Sequence, residues 1–469
     1  MKIGISGISD EKLRVPLMHI ANLFFENSSI QFDDIDQCDL LVHLNGEGNY
    51  ATPRERKYAL LREFLTFLQK KTGKKQKWGV LTGIRPTKLW HQMLRESTNR
   101  DIVRHRLKTD YLITNEKLNI LEQIVDKQLL VVPDLYDLKH EVSIYIGIPF
   151  CPTKCAYCTF PAYAIQGKNT LVSDFLEKLH EEIRATGEWL RRNEISVTTI
   201  YFGGGTPTSI TAAQMDSLYK ELYESIPMMN KVREITVEAG RPDTLSEDKL
   251  EVLKKWKIER ISINPQSFHE ETLKAIGRHH TTAQTIEKFH LAQEYGFGNI
   301  NMDLIIGLPG EGVPEFEKTL NQLDGLQPES ITVHTLAFKR ASEMTQNKEK
   351  YKVADRDEVE KMMQKSMDWM AEHDYEPYYL YRQQNILGNM ENIGYSKQGQ
   401  ESIYNILIME EVQTIIGLGC GASSKYVHPE NGVITRYANP KDPKTYIDNG
   451  KKIIDEKLKH LEDLFLNKK

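Results

Sequence analysis

From residue 142 to residue 335 the chain alternates short β-branched runs with amphipathic stretches of helical spacing, which restricts it to a parallel sheet covered by helices. The runs are 142–148, 197–202, 234–238, 260–264, 299–306 and 330–335, giving six βα units. Between the first two, Leu171, Phe175, Leu179 and Ile183 form a core-facing stripe. Thr244 and Glu247 read as a capping box ahead of Leu250 and Leu253, and Gly296 as the stop of a helix carrying Ile286 and Phe289. In a parallel βα array the loops that follow the strands gather at one mouth. There the unusual residues fall: a cysteine loop after the first run, Gly203, Gly204, Gly205 and Thr206 after the second, and Glu238 ending the third. Asn264 and Gln266 close the fourth, Asp303 lies in the fifth and His334 ends the sixth. A strand-end glycine or asparagine alone is ordinarily a turn residue; the convergence points to a site.

Three of the five cysteines, Cys151, Cys155 and Cys158, lie in YIGIPFCPTKCAYCTF, residues 145–160. Three thiolates in one short loop can hold a four-iron cluster and leave one iron open to a small molecule. Zinc would need a fourth ligand from a remote residue such as His279 or His280. An odd cysteine count in a cysteine-poor chain argues against disulfides. Burial as simple thiols accounts for Cys38 and Cys420 but not for a triplet. The triple glycine has two readings, a turn or a close backbone approach to a ligand. Histidines 279, 280 and 334 are candidate ligands for a bound group, or structural hydrogen-bonding residues.

The length, 469 residues, suggests about three domains at ~150 residues each. The expected division is 1–139, an N-terminal α/β and helical accessory domain; 140–340, the βα array; and 341–469, a C-terminal mixed helical and β domain covering the substrate. No apolar run approaches the ~18 residues of a membrane span, and residues 1–10 carry no signal pattern, so a soluble cytoplasmic protein is expected. The net charge of −5 does not argue for nucleic acid, and no such partner is expected; Lys70, Lys71, Lys74, Lys75 and Lys77 read as a solvated helix end. Residues 2–5 and 40–44 read as strands, and 13–25, 54–71 and 87–127 as helical. In WGVLTGIRPTKLW, 78–90, a turn at Thr82 and Gly83 with Pro86 opening a helix competes with an anion contact by Arg85 and Lys88. Val359, Met362, Met363, Met367 and Met370 form a core-filling stripe. Residues 378–395 are rich in aromatic and amide side chains, which either pack on themselves or, with Arg382, bind a planar carboxylate ligand. IGLGCGASS, 416–424, lacks the lysine of a phosphate loop.

The C-x3-C-x2-C spacing after an apolar strand resembles the radical S-adenosylmethionine superfamily. With GGGTPT, VEAGRP, ISINPQSF, IGRHH, MDLIIGLPG, YRQQNILGNMENIGY and GLGCGASS, the chain resembles the oxygen-independent coproporphyrinogen III oxidase family; TGIRPTK and YRQQNILGN are similar to its long HemZ-type branch of coproporphyrinogen dehydrogenases. The resemblance implies a partial six-unit barrel and a four-iron cluster on Cys151, Cys155 and Cys158. It implies S-adenosylmethionine among Tyr145, Phe160, Gly204, Gly205, Thr206, Glu238, Gln266, Arg278 and Asp303, with Tyr145 and Arg382 as candidate catalytic residues. The family reaction takes hydrogen from the β-carbon of a porphyrinogen propionate. Carbon dioxide and an electron leave, and two such events convert coproporphyrinogen III to protoporphyrinogen IX in haem biosynthesis. A low-potential flavodoxin or ferredoxin donor is implied. The chain departs from the family's oxidases at Phe160, where they carry a fourth cysteine, and at Gly147, where they carry a histidine. Related haem chaperones share the phenylalanine, so a haem-binding protein and a haem-opening methyltransferase stand as alternatives.

Overall fold

The computed structural model describes residues 1–466 apart from Glu26, Asp34, Glu47, Gly83, Ile84, Arg340, Gln384 and Asn385. The turn expected at Thr82 and Gly83 therefore lies partly outside the described residues, as do two amides of the 378–395 passage. Contacts divide the chain into two units, one of Met1–Asp126 with Tyr381–Gln384 and one of the remainder. The expected boundary at 139 thus falls thirteen residues beyond this division, which lies inside the helix Asn115–Val131.

In the first unit β1 (Lys2–Ser6) lies between β2 (Ser29–Gln31) and β3 (Leu40–His43), all parallel. The helix Pro53–Thr72 starts where the Thr52 side chain accepts from the Glu55 amide and stops at Gly73 in the left-handed region, with Lys70 and Lys71 in its last turn. Its Leu60, Phe64 and Leu68 are fully buried. Pro86 opens the helix Pro86–Ser97 as expected. The long stretch 87–127 is broken into three helices, because Thr98 turns left-handed and Asn99 caps a new helix through the Asp101 and Ile102 amides.

The second unit holds β4 (Val142–Ile148), a short pair β5 (Phe150–Cys151) and β6 (Tyr163–Ala164), β7 (Val197–Gly204), β8 (Glu234–Glu238), β9 (Arg260–Ser262), β10 (Asn299–Ile306), β11 (Ser330–Thr335), β12 (Glu376–Tyr381), β13 (Asn392–Ser396), β14 (Thr414–Gly419), β15 (Ser423–Val427) and β16 (Ile434–Ala438). Apart from β5 and β6 these form one sheet in the order β12-β13-β11-β10-β9-β8-β7-β4-β14-β15-β16. The six strands read from the sequence are its parallel centre. No closed barrel forms among the described residues: the sheet is open, with β12 and β16 at its edges.

Strands beyond residue 340, assigned from sequence to a separate covering domain, extend this same sheet at both ends. β14 is a seventh parallel strand against β4, and β13 returns antiparallel on β11. Glycine permits the β14 contact: a Cβ on Gly419 would lie 2.4 Å from the Gly147 carbonyl oxygen. The described residues of the passage 378–395 include the end of β12, a short helical turn Leu387–Asn389 and the start of β13, and IGLGCGASS is the end of β14 and the start of β15.

The helix Asn169–Arg192 buries Phe175, Leu179 and Ile183 and leaves Leu171 partly exposed. The helix Arg356–Glu372 buries Val359, Met362, Met363 and Met370 of the expected stripe and leaves Met367 half-buried. The expected capping box at Thr244 does not form. That hydroxyl donates to the Arg241 carbonyl, and Ser246 stands at the N-cap of Glu247–Lys255. A capping box of that kind occurs instead at Thr281 and Gln284, and Gly296 follows the helix Thr282–Glu294 in the left-handed region.

Candidate active site

The cysteine loop leaves β4 and is pinned from three sides. The Tyr163 amide donates to the Pro149 carbonyl (2.8 Å) and the Ile165 amide to that of Cys151 (3.1 Å). The Ala156 amide donates to the Ile276 carbonyl (3.0 Å), and the Thr153 hydroxyl to that of Gly277 (2.9 Å). From the glycine loop, the amides of Gly205 and Thr206 donate to Ile148 and Phe150 (2.7 and 2.8 Å). This seam gives two of the glycines a role without a ligand: Gly204 has φ +104°, and a Cβ on Gly205 would lie 2.6 Å from the Phe150 oxygen.

All five cysteines are free thiols. Cys151 Sγ lies 3.3 Å from Thr206 Oγ1. Burial pushes the Cys151 thiol up to about 11, the neighbouring charges of Cys155 and Cys158 add to the rise, and Thr206 and Arg241 oppose it. Burial and Cys155 likewise raise Cys158, against the Phe160 amide and the cations of Lys339 and Lys154. Deprotonated together, three thiolates on this loop would repel one another, and a cationic group bound among them would relieve the repulsion. Among the described residues no three His, Cys, Asp or Glu side chains gather as tightly as a single metal ion needs.

Across the mouth, Tyr201 donates to Glu238 Oε1 (2.6 Å), and burial pushes the Glu238 carboxyl up to about 7 although that bond opposes it. Tyr145, Tyr201 and Tyr404 stack, the closest rings 4.4 Å apart between Tyr201 and Tyr404. Arg278 is buried, with Nη2 donating to the carbonyls of Gly240 and Asn264 (both 2.7 Å) and Nη1 to the Tyr157 hydroxyl (3.4 Å). Its Nε has no hydrogen-bond partner, nor does Oε1 of Gln266, a buried residue held at φ +65°. Buried polar groups ordinarily find partners, so these two atoms mark a place for a polar ligand. Asp303 is differently placed: Asn301 and Asn264 donate to its two oxygens (2.7 and 2.8 Å), and His334 lies 3.6 Å away. Burial would raise its carboxyl, but His334 and Asn301 hold it below the usual range.

The three cysteines, Gly204, Gly205, Thr206, Glu238 and Gln266 lie at or just beyond the C-terminal ends of the parallel strands, whereas Tyr145 and Asp303 lie mid-strand in β4 and β10 and Arg278 follows the helix Glu270–Ala275. Phe160 is 56 % exposed on the cysteine loop. Arg382 is placed with the first unit, where it donates to the Leu81 carbonyl (2.6 Å) and lies over the Trp78 ring. His279 is exposed, whereas His280 is buried and kept neutral, held down to about 3 by burial and by Arg278 and Arg241. Sequence reasoning missed Arg241, whose guanidinium binds Asp243 (3.1 and 3.0 Å) and the Thr153 hydroxyl (3.1 Å) beneath the cysteine loop. Its signal was present in VEAGRP. Tyr201 and Tyr404 were also missed, because an aromatic residue on a strand or helix reads as core.

The thiols of the clamped loop and the two unpartnered polar atoms suit an iron–sulfur cluster and a small zwitterion. Residues 145–323 match the Radical SAM superfamily. Over 494 aligned residues, 99 % of this chain and 99 % of the relative, the chain is 56 % identical to the oxygen-independent coproporphyrinogen-III oxidase-like protein HemZ of Bacillus subtilis (strain 168). It is 31 % identical to the heme chaperone HemW of the same organism, over 65 % of this chain and 75 % of the relative. The solved structure of coproporphyrinogen III oxidase HemN from Escherichia coli shares the fold, with TM-score 0.53 and 22 % identity over 69 % of this chain and 72 % of that one. The cluster and S-adenosylmethionine are the cofactors of the superfamily. With near-complete mutual coverage at that identity, the chain belongs to the oxygen-independent coproporphyrinogen-III oxidase-like family of radical S-adenosylmethionine proteins.

Proposed function

We propose that the chain decarboxylates propionate side chains of coproporphyrinogen III oxidatively to vinyl groups, giving protoporphyrinogen IX. The observation that supports this best is the cysteine triplet on a loop clamped to Ile276 and Gly277, with the adjoining Arg278 Nε and the Gln266 Oε1 both buried and unpartnered. Cys151, Cys155 and Cys158 would hold the cluster. Arg278, fixed by two carbonyls, would meet the methionyl carboxylate, and Gln266 Oε1 would accept from the methionyl amine. Glu238 would take the ribose hydroxyls; Asp303, its oxygens already engaged, would instead orient His334 toward a substrate carboxylate. Bound together, cluster and cofactor supply a hydrogen-abstracting radical once one electron is delivered. What remains for the protein is to hold the propionate β-carbon in reach and exclude water, with a flavodoxin or ferredoxin as donor.

The second reading is haem binding without decarboxylation, favoured by the 31 % identity to a heme chaperone and by Phe160 where the oxidases have a cysteine. The deciding experiment is anaerobic turnover of the reconstituted protein with S-adenosylmethionine, reductant and coproporphyrinogen III, following 5′-deoxyadenosine and porphyrin mass together. Loss of carboxyl mass matched by deoxyadenosine, and absent in Cys155→Ala, supports the oxidase. An unchanged porphyrin with stoichiometric haem uptake supports the carrier.

A further inference from the structure

The loop after β11 folds onto the cysteine loop. The Met344 amide donates to the Ala156 carbonyl (3.0 Å). Ala156, Leu336, Met344 and Tyr351 are buried in one apolar cluster, with Tyr157 and Phe338 packed on it. That packing brings Lys339 to the cysteine loop, at Phe160 two residues after Cys158. Its ammonium lies 5.9 Å from the centroid of the Phe160 ring, within range of a cation–π contact. The Lys339 carbonyl is fixed by the Ser342 amide (2.8 Å) and hydroxyl (2.9 Å). Of the other charges nearby, Lys154 is exposed, Arg241 is paired with Asp243, and Glu343 is engaged by Lys350 and Tyr351. Lys339 is thus a partly buried cation held on the cysteine loop, against the ring two residues after Cys158.

We propose that Lys339, held against the Phe160 ring, is a positioning residue that raises the reduction potential of the cluster on Cys151, Cys155 and Cys158. The inference rests on the cluster reading of the site. Reduction adds one negative charge, and a cation in a partly dehydrated setting stabilises the reduced form more than the oxidised one. The ring supplies a face that holds the ammonium without neutralising it. In this chain the residue at the oxidases' fourth-cysteine position would therefore tune the cluster instead of offering another thiol.

The test uses the full chain, reconstituted anaerobically and assayed for iron and sulfide, then titrated electrochemically by electron paramagnetic resonance without S-adenosylmethionine. Lys339→Gln should lower the one-electron midpoint by about 59 mV, a tenfold change in the reduction equilibrium. Lys339→Arg should restore most of that, and Phe160→Leu, which keeps the charge but frees it, should give a smaller fall. A Lys339→Gln midpoint equal to the native one overturns the inference while leaving the cluster reading intact. Failure of the native chain to take up a cluster overturns both. Should Lys339→Gln lose its cluster, Phe160→Leu decides on the same scale, and a native-like midpoint there overturns the inference.

Discussion

Gly147 stands where the oxidases carry a histidine, and the backbone around it is closed to one: a Cβ there would lie 2.7 Å from the Cys420 carbonyl oxygen. The departure is built into the packing of β4 on the turn after β14. Gly147→Ala should destabilise the apoprotein by roughly 1–3 kcal/mol, the usual cost of overpacking, measured by denaturant unfolding. Glu238 makes a second prediction. Its carboxyl is pushed from 4.5 up to about 7, so the native state holds a proton that the unfolded chain releases. That contribution to stability is complete below about pH 4.5 and is lost as pH rises through about 7. Glu238→Gln should therefore gain stability over the native chain across this interval and level off above it; pH-dependent unfolding with no such divergence would refute the assignment. At this scale the sequence was most legible where chemistry demands a residue type. The cysteines, Gln266 and Arg278 were named, whereas Arg241 and Lys339 were not, because an arginine under a loop or a lysine after a strand is common and only packing gives it a role.

At the scale of elements, strands rich in β-branched residues were read almost to their ends: β4, β8, β10 and β11 match the expected bounds. β12 (EPYYLY) and β14 (TIIGLG) were missed as sheet strands because proline and glycine weaken the strand pattern, and their partners are distant in sequence. β14 is further secured by a buried network that no local pattern announces. Glu182 accepts from the Gly419 amide (2.7 Å), the Tyr446 hydroxyl (2.6 Å) and Asn439 (3.0 Å), and pairs with buried Lys457, which also donates to Gly417. Lys457→Met leaves a buried carboxylate without its cation and should cost roughly 3–5 kcal/mol, read by chemical unfolding. The cysteine loop has its own clamp in Thr153, which bonds Gly277 and receives Arg241. Thr153→Val should speed iron release to a chelator while leaving the starting iron content near native; an unchanged release rate would show that the backbone seam alone fixes the loop.

At the scale of the whole molecule, the chain contributes to the first unit twice, through Met1–Asp126 and again through Tyr381–Gln384. An N-terminal unit was legible from its own strands and helices, but the returning segment was not, since only the fold shows that Arg382 bonds the carbonyl of Leu81. This leaves two roles for Arg382, catalytic as the resemblance implies or a clasp of the first unit as its contacts favour. The residue is buried, its guanidinium lies 5.2 Å from the centroid of the Trp78 ring, and it donates to a carbonyl at 2.6 Å. Arg382→Met keeps most of the stem's packing and removes the charge and that donor. A clasp predicts a loss of about 1–3 kcal/mol for the buried acceptor left behind, seen as faster hydrogen exchange in residues 1–126, with iron content and exchange in β4, β7 and β10 unchanged. A catalytic role predicts the reverse: native exchange throughout and loss of turnover with the cluster in place. Because exchange and turnover are read on the same variant, the two outcomes separate the roles.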